Sequence, residues 1–86
     1  MSYRIVIRSS AERELGRIDP HDRRRIAAKI DSLSENPRPA GCEKLSGTSA
    51  WRVRVGVYRV VYTVAAEILI VEVIHIGHRR EVYRNL

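Results

Sequence analysis

Three arginines alternate with apolar residues in the stretch WRVRVGVYRVVYTV, residues 51–64, which contains no acid. Side chains two positions apart share one face of a β-strand, so Arg52 and Arg54 should point together away from the core. With Gly56 in a tight turn, Arg59 should lie across the hairpin from Arg54, which places all three on one face. Because facing like charges destabilise a sheet, the cluster predicts binding of an external anion such as phosphate. A basic residue on an edge strand can instead serve only to prevent aggregation.

A second set of reactive side chains occupies the C-terminal stretch IHIGHRREVYRNL, residues 74–86. Tyrosine and histidine can transfer protons and stack on bases, and arginine can stabilise a pentavalent phosphate. These types fit a nuclease, although a solvated basic tail with a structural histidine has the same composition. No cluster of cysteines or carboxylates accompanies the histidines, so we expect no metal site. The set consists of His75, His78, Arg79, Arg80, Tyr83 and Arg84.

Composition limits the possible classes of protein. The 86 residues, 44% hydrophobic, are expected to form a single domain, residues 1–86. Fourteen arginines and two lysines outweigh ten acids and give a net charge of +6, which favours a polyanionic partner but also fits solubility or an acidic protein partner. Cys42 has no second cysteine to pair with, and no apolar run approaches the roughly 20 residues that span a bilayer, so we expect a cytoplasmic protein. No glycine-rich phosphate loop or zinc-finger pattern is present, and we expect no cofactor.

The first half of the chain predicts a strand and two helices. YRIVIRSS, residues 3–10, alternates as a strand does, and Ser9 with Glu12 forms a capping-box pattern that should start a short helix through Ile18. Asp19 should cap a second helix, with a proline at its first position. An apolar stripe should face the core until the Asn-Pro pair at 36–37 ends this helix, and it consists of Ile26, Ile30 and Leu33.

The second half predicts a loop and three strands. Residues 38–50 are predicted to form a loop, and Leu45 should anchor it by packing against the core. In the hairpin that follows, Trp51 and its i+2 neighbours should face the core, and the apolar run 68–76 should form a covered strand. The expected fold is α+β, with the helical hairpin packed on a small antiparallel sheet in the order βααβββ.

This order of elements, together with KLSG (residues 44–47), the arginine hairpin and VIHIGHRREVYR (residues 73–84), resembles the RelE/ParE superfamily of bacterial and archaeal toxin–antitoxin toxins. The resemblance covers essentially the whole chain. It implies a compact RelE-like fold and a cognate RelB-like antitoxin that wraps the toxin, with operator DNA contacted only through the antitoxin. An acidic antitoxin segment could neutralise the arginines and add a strand to an exposed sheet edge.

The superfamily has two branches with different targets. RelE-like toxins cut mRNA in the ribosomal A site, whereas ParE-like toxins poison DNA gyrase. The RelE-like motif positions carry suitable residues here, which favours a metal-independent endoribonuclease that works by attack of the ribose 2′-OH. A third possibility is a degenerate toxin that acts only as an antitoxin corepressor. The resemblance implies catalytic roles for Arg59, Arg79, Tyr83 and His78, and RNA-binding roles for Arg52, Arg54, Arg80 and Lys44.

One departure from the RelE-like motif affects the chemistry. The basic pair before the hairpin turn is lysine in the best-known members, whereas it is Arg52 and Arg54 here. Arginine stays protonated because its pKa exceeds about 12, so this pair can bind charge but is a poor base. The proton of the attacking hydroxyl would then pass to Tyr83 or His78, while Arg59 and Arg79 stabilise the pentavalent phosphate.

Overall fold

The structure, a computed structural model, describes residues 2–78. The predicted α+β class is confirmed, with a helical hairpin packed against a five-stranded sheet. The elements are β1 Arg4–Ile7, α1 Ser9–Gly16, α2 Pro20–Ser32, β2 Glu43–Lys44, β3 Ala50–Val55, β4 Tyr58–Ala65 and β5 Ile70–His78. None of the helices in the described part of the chain is long and apolar enough to span a membrane.

The sheet is mixed, which differs in one detail from the expected antiparallel arrangement. Its strand order is β1-β5-β4-β3-β2, and β1 runs parallel to β5 while the other neighbours are antiparallel. The first and last strands of the described chain are therefore adjacent, as in a crossover connection. The other unexpected element is β2, a two-residue edge strand within the segment predicted as a loop.

The two helices begin by different means. Asp19 caps α2 as predicted, since its carboxylate accepts the backbone N–H groups of His21 at 3.0 Å and Asp22 at 3.1 Å. The Asp22 N–H in particular holds the pKa of this carboxyl below its usual value. The predicted capping box of α1 is wrong, because Arg8 is the N-cap and no side chain caps the helix. The N–H of Arg8 donates to Val73 O at 2.9 Å, so pairing with β5 fixes the helix start one residue earlier.

The main core lies between the helices and one face of the sheet. The α2 stripe and Val53 of β3 are buried there as predicted, and the partly buried Trp51 and Val55 pack against them. Tyr62 is fully buried, and its hydroxyl donates to Pro37 O at 2.6 Å. Burial raises the pKa of this hydroxyl, with a further contribution from Cys42. The tyrosine thus fastens the segment after α2 to the centre of the sheet.

The other face of the sheet, turned away from α1 and α2, is called the distal face here. A small apolar cluster of Ala50, Val61 and Ile74 lies on it, and Leu45 packs against this cluster, so the predicted pinning of the loop is confirmed. Ile74 is the extra residue of a β-bulge, because the β4–β5 register shifts between Val61 and Tyr62. A bulge inserts one unpaired residue and reverses the facing of the residues beyond it.

Candidate nucleic-acid interface

The β3–β4 hairpin brings two arginines face to face. A two-residue loop joins the strands, and Gly56 occupies its first position with φ +60°, a conformation that glycine adopts without the penalty of a Cβ. The resulting register pairs Arg54 with Arg59, as the sequence predicted. Facing residues of an antiparallel pair share one side, so both side chains belong to the distal face.

This arginine pair has the charge pattern expected of an anion site. Arg54 is exposed and Arg59 is half-buried, and their Cα positions are directly opposed across the ladder. Opposed like charges cost stability on a sheet, whereas two guanidinium groups can share the oxygens of one phosphate through charge-assisted hydrogen bonds. A phosphate oxyanion bound there would therefore form charge-assisted hydrogen bonds with both side chains.

Arg52 shares the distal face but is not an exposed, unneutralised cation. It is only 7% exposed, and its Nη2 lies 2.7 Å from Oε2 of Glu43. Its Nη1 is buried without a hydrogen-bond partner. The expectation of three uncompensated arginines is wrong at this position because β2 pairs Glu43 directly with Arg52. Sequence reasoning missed this acid because it lies in the segment assigned to a loop.

His78 lies on the opposite side of the sheet from the arginine pair. Its register partner is Tyr58, and the two rings are 6.4 Å apart in an edge-to-face arrangement, whereas Gly77 is the residue opposite Arg59. Glu72 faces the distal side, where it pairs with Arg8 at 3.5 Å. Strict alternation from Glu72 would put His78 on the distal face too, and the bulge reverses that outcome.

The remaining predicted site residues lie apart from the arginine pair or outside the described residues. Lys44 is exposed on β2 and pairs with Trp51, a residue of the helix side. Arg79, Arg80 and Tyr83 lie outside the described residues, so their roles stay predictions. Within residues 2–78, no three His, Cys, Asp or Glu residues are grouped so that they could hold a metal ion.

Two further cations that sequence reasoning did not assign to the site stand beside Arg54. A cavity of about 540 Å³ between α2 and β3 is lined in part by Arg25, Lys29 and Arg54. Arg25 also contacts Asp22 at 3.3 Å, which compensates part of its charge. Arg25 and Lys29 are four residues apart and so share one side of α2. This i, i+4 spacing could have predicted a basic face on the helix. The positive surface therefore continues around the sheet edge onto α2.

Comparison with known proteins shows the family to which the chain belongs. Residues 5–83 match the family described as the ParE toxin of the type II toxin–antitoxin system parDE. No curated protein matches the chain by sequence.

Solved structures that are similar to this chain include the archaeal RelE–RelB complex from Pyrococcus horikoshii OT3, with 28% identity, a TM-score of 0.83, and coverage of 94% of this chain and 99% of that one. An arginine mutant of E. coli toxin RelE in the free state has 28% identity and a TM-score of 0.81, and the match covers 96% of this chain and 92% of that one. The intact E. coli RelBE toxin–antitoxin complex has 27% identity and a TM-score of 0.78, and the match covers 90% of this chain and 96% of that one. The chain therefore belongs to the ParE toxin family of type II toxin–antitoxin systems, within the RelE/ParE superfamily, and its structure is RelE-like.

Proposed function

We propose that this toxin is a ribosome-dependent endoribonuclease that binds the mRNA backbone on the distal face and arrests translation in the cytoplasm. The observation that carries the proposal is the direct opposition of Arg54 and Arg59. Two guanidinium groups on one side of a strand pair are well suited to hold a phosphodiester through charge-assisted hydrogen bonds. The similarity to RelE toxins supports a nuclease over a plain nucleic-acid-binding protein.

The proposed reaction is attack of a ribose 2′-OH on the adjacent phosphate, which leaves a 2′,3′-cyclic phosphate and expels the 5′-oxygen of the next nucleotide. That oxygen takes a proton from water and becomes a 5′-hydroxyl. Arg54 holds the phosphate, while Arg59 and Arg79 stabilise the added negative charge of the pentavalent phosphate. Arginines cannot take the hydroxyl proton, because they stay protonated at neutral pH. Tyr83 is the proposed proton acceptor or base-stacking group, since His78 lies on the other side of the sheet. Arg80 adds a backbone contact in this proposal.

Arg52 and Lys44 have more peripheral roles in the proposal. The guanidinium of Arg52 is already engaged by Glu43, so its first function is to hold β2 against β3 next to Arg54. Lys44 is exposed at the sheet edge and can contribute to long-range attraction of RNA. Neither is expected to contact the scissile phosphate in the free toxin's conformation.

The proposed partner is a RelB-like antitoxin with an acidic segment. Several structures similar to this chain are RelE–RelB complexes, and the net charge of +6 favours an acidic binding segment. Such a segment covering Arg54 and Arg59 would exclude RNA from the same surface. Operator DNA would be contacted through the antitoxin.

Gyrase inhibition is the second candidate function. It is favoured by the matching family, which is described as ParE toxin, and by the absence of a lysine at positions 52 and 54. In that case the arginine pair would contact an acidic protein surface and the toxin would cut no bond. DNA-damage signalling with intact mRNA would then accompany growth arrest.

Primer extension on a defined mRNA in a translating extract, with and without ribosomes, tests the proposal. The wild type should give discrete cuts at A-site codons only when ribosomes are present, and Arg54→Gln and Arg79→Ala should lose them. Arg24→Gln, an exposed arginine of α2, is the matched control and should cut normally. Intact message with arrested growth would favour gyrase, and intact message with normal growth would leave an antitoxin corepressor.

A further inference from the structure

A cavity separate from the arginine pair lies on the helix side of the sheet, between the end of α1 and the paired ends of β4 and β5. Its volume is about 340 Å³, near the small end of the roughly 300–1,000 Å³ typical of ligand sites, which suits a single nucleobase. It combines apolar, aromatic and charged side chains, and no step proposed above uses it. Its lining consists of Glu14, Arg17, Ile18, Tyr58, Ile76 and His78.

Glu14 is the carboxylate of this cavity, and β5 holds it in place. Its Oε1 accepts a hydrogen bond from the backbone N–H of Ile76 at 3.1 Å, and His75 Nδ1 lies 4.0 Å from the same oxygen. This part of β5 extends beyond its pairing with β1, which ends at Val73. With Oε1 anchored by the strand, Oε2 can accept hydrogen bonds from the N–H groups of a ligand.

The remaining lining residues fit a planar ligand. The Tyr58 and His78 rings stand at 77° to each other, so one can stack on a base while the other borders its edge. Ile18 and Ile76 are buried and provide an apolar floor. Arg17 is exposed at the end of α1, where its guanidinium can donate to an oxygen or ring nitrogen.

We propose that this cavity binds a guanine base of single-stranded RNA. Guanine presents adjacent N1–H and N2–H₂ donors to a carboxylate and carries O6 beside them as an acceptor for a guanidinium, so it matches Glu14 and Arg17 together. Uracil has no amino group to offer the carboxylate. Single-stranded RNA is commonly recognised in this way, by stacking on aromatic rings and hydrogen bonding to base edges.

The position of the cavity fits an RNA strand that also contacts the arginine pair. Tyr58 and Arg59 are consecutive on β4, so their side chains leave opposite faces at the same end of the sheet. A nucleotide next to the phosphate bound at Arg59 can therefore reach around the sheet end into the cavity. The inference rests on the proposed function in one respect, that the base belongs to RNA, whereas binding of a free nucleotide requires neither ribosomes nor cleavage.

Titration of the full chain with GMP, AMP, UMP and inorganic phosphate, followed by backbone amide chemical shifts, tests the inference. GMP should shift amides of Tyr58, Ile76 and His78 and bind about tenfold more tightly than UMP, while phosphate alone should leave these amides unshifted. Tyr58→Leu should weaken GMP binding about tenfold, because stacking is lost. Glu14→Gln keeps an oxygen for the Ile76 N–H but removes the charge, so it should reduce the preference for GMP. Arg13→Gln, exposed on the same helix, is the matched control.

Three results would overturn the guanine site. These are equal binding of GMP and UMP, shifts confined to the arginine pair, and unchanged GMP preference in Glu14→Gln. If GMP binds as expected but mRNA stays intact in the ribosome assay, the base site stands and the nuclease proposal fails. Ribosome-dependent cleavage without GMP binding removes the base site alone.

Discussion

Replacing Glu43 by alanine should destabilise the fold even though Glu43 is a surface residue of a two-residue strand. Its partner Arg52 has a side chain only 8% exposed, whereas the Glu43 side chain is 61% exposed. The Glu43→Ala variant leaves a buried guanidinium without its carboxylate, and Nη1 of that guanidinium already lacks a hydrogen-bond partner. The loss of stability should therefore exceed that of an ordinary surface ion pair.

The expected magnitude lies between two limits. Exposed ion pairs contribute about 0.2–1 kcal/mol, and breaking a fully buried pair costs about 3–5 kcal/mol. Because water can reach the Glu43 end but hardly the Arg52 end, we expect a loss of about 2 kcal/mol. A chain of this length has a free energy of unfolding of about 4–13 kcal/mol, so the variant should still fold. With a urea m-value of roughly 2 kcal/mol/M, the midpoint should fall by about 1 M.

Urea denaturation of four variants measures this effect. Lys44→Ala, the exposed neighbour in β2, is the control and should change stability by no more than about 0.5 kcal/mol. Arg52→Met removes the buried charge itself, so the double variant with Glu43→Ala should lose less stability than the two single losses added together. A Glu43→Ala loss no larger than that of Lys44→Ala, or strict additivity in the double variant, would refute the buried-pair reasoning.

Three other substitutions test separate parts of the fold. Gly56→Ala places a Cβ at φ +60° and 3.5 Å from Arg25 Nη1. It should lower the free energy of unfolding by about 1 kcal/mol and with it the melting temperature, and an unchanged melting temperature would argue against that turn geometry. Tyr62→Phe deletes the donor to Pro37 O, which should cost about 1–3 kcal/mol in urea denaturation, and a neutral result would mean that the hydrogen bond contributes nothing. The pKa of Asp19 is lowered by folding, so its contribution is present above the unfolded pKa and is lost as pH falls through the folded pKa. The melting temperatures of wild type and Asp19→Asn should therefore converge on acidification below the ordinary aspartate range, and a difference that widens there would contradict the sign.

Local patterns predicted several features of the structure correctly. The cap at Asp19 and the apolar stripe of α2 depend on residues within a few positions of one another, and the structure confirms both. The facing of Arg54 and Arg59 likewise follows from a two-residue loop with glycine at its first position. In these cases nearest-neighbour geometry alone fixes the outcome.

The ion pair between Arg52 and Glu43 and the location of His78 could not be predicted locally. Arg52 is neutralised because a segment that looks like a loop becomes β2 when the β3 edge offers it backbone partners. His78 leaves the arginine side because one extra residue at Ile74 reverses the facing of the end of β5. Both outcomes depend on pairing between strands rather than on the pattern within one strand.

The sequence by itself determined the α+β class, the order of elements, the helical hairpin and the opposed arginines, because periodicity, caps and turn residues act over short distances. Only the tertiary structure decided that Arg52 is paired with Glu43 and that His78 lies on the helix side of the sheet. The parallel pairing of β1 with β5 joins residues as far apart as Arg4 and Ile70, and such long-range contacts are selected by the burial of the whole sheet. The bulge at Ile74 and the edge strand β2 determine where His78 and Arg52 lie, although neither is visible in the apolar–polar alternation of the sequence. The geometry of the site therefore follows from strand pairing in the packed sheet.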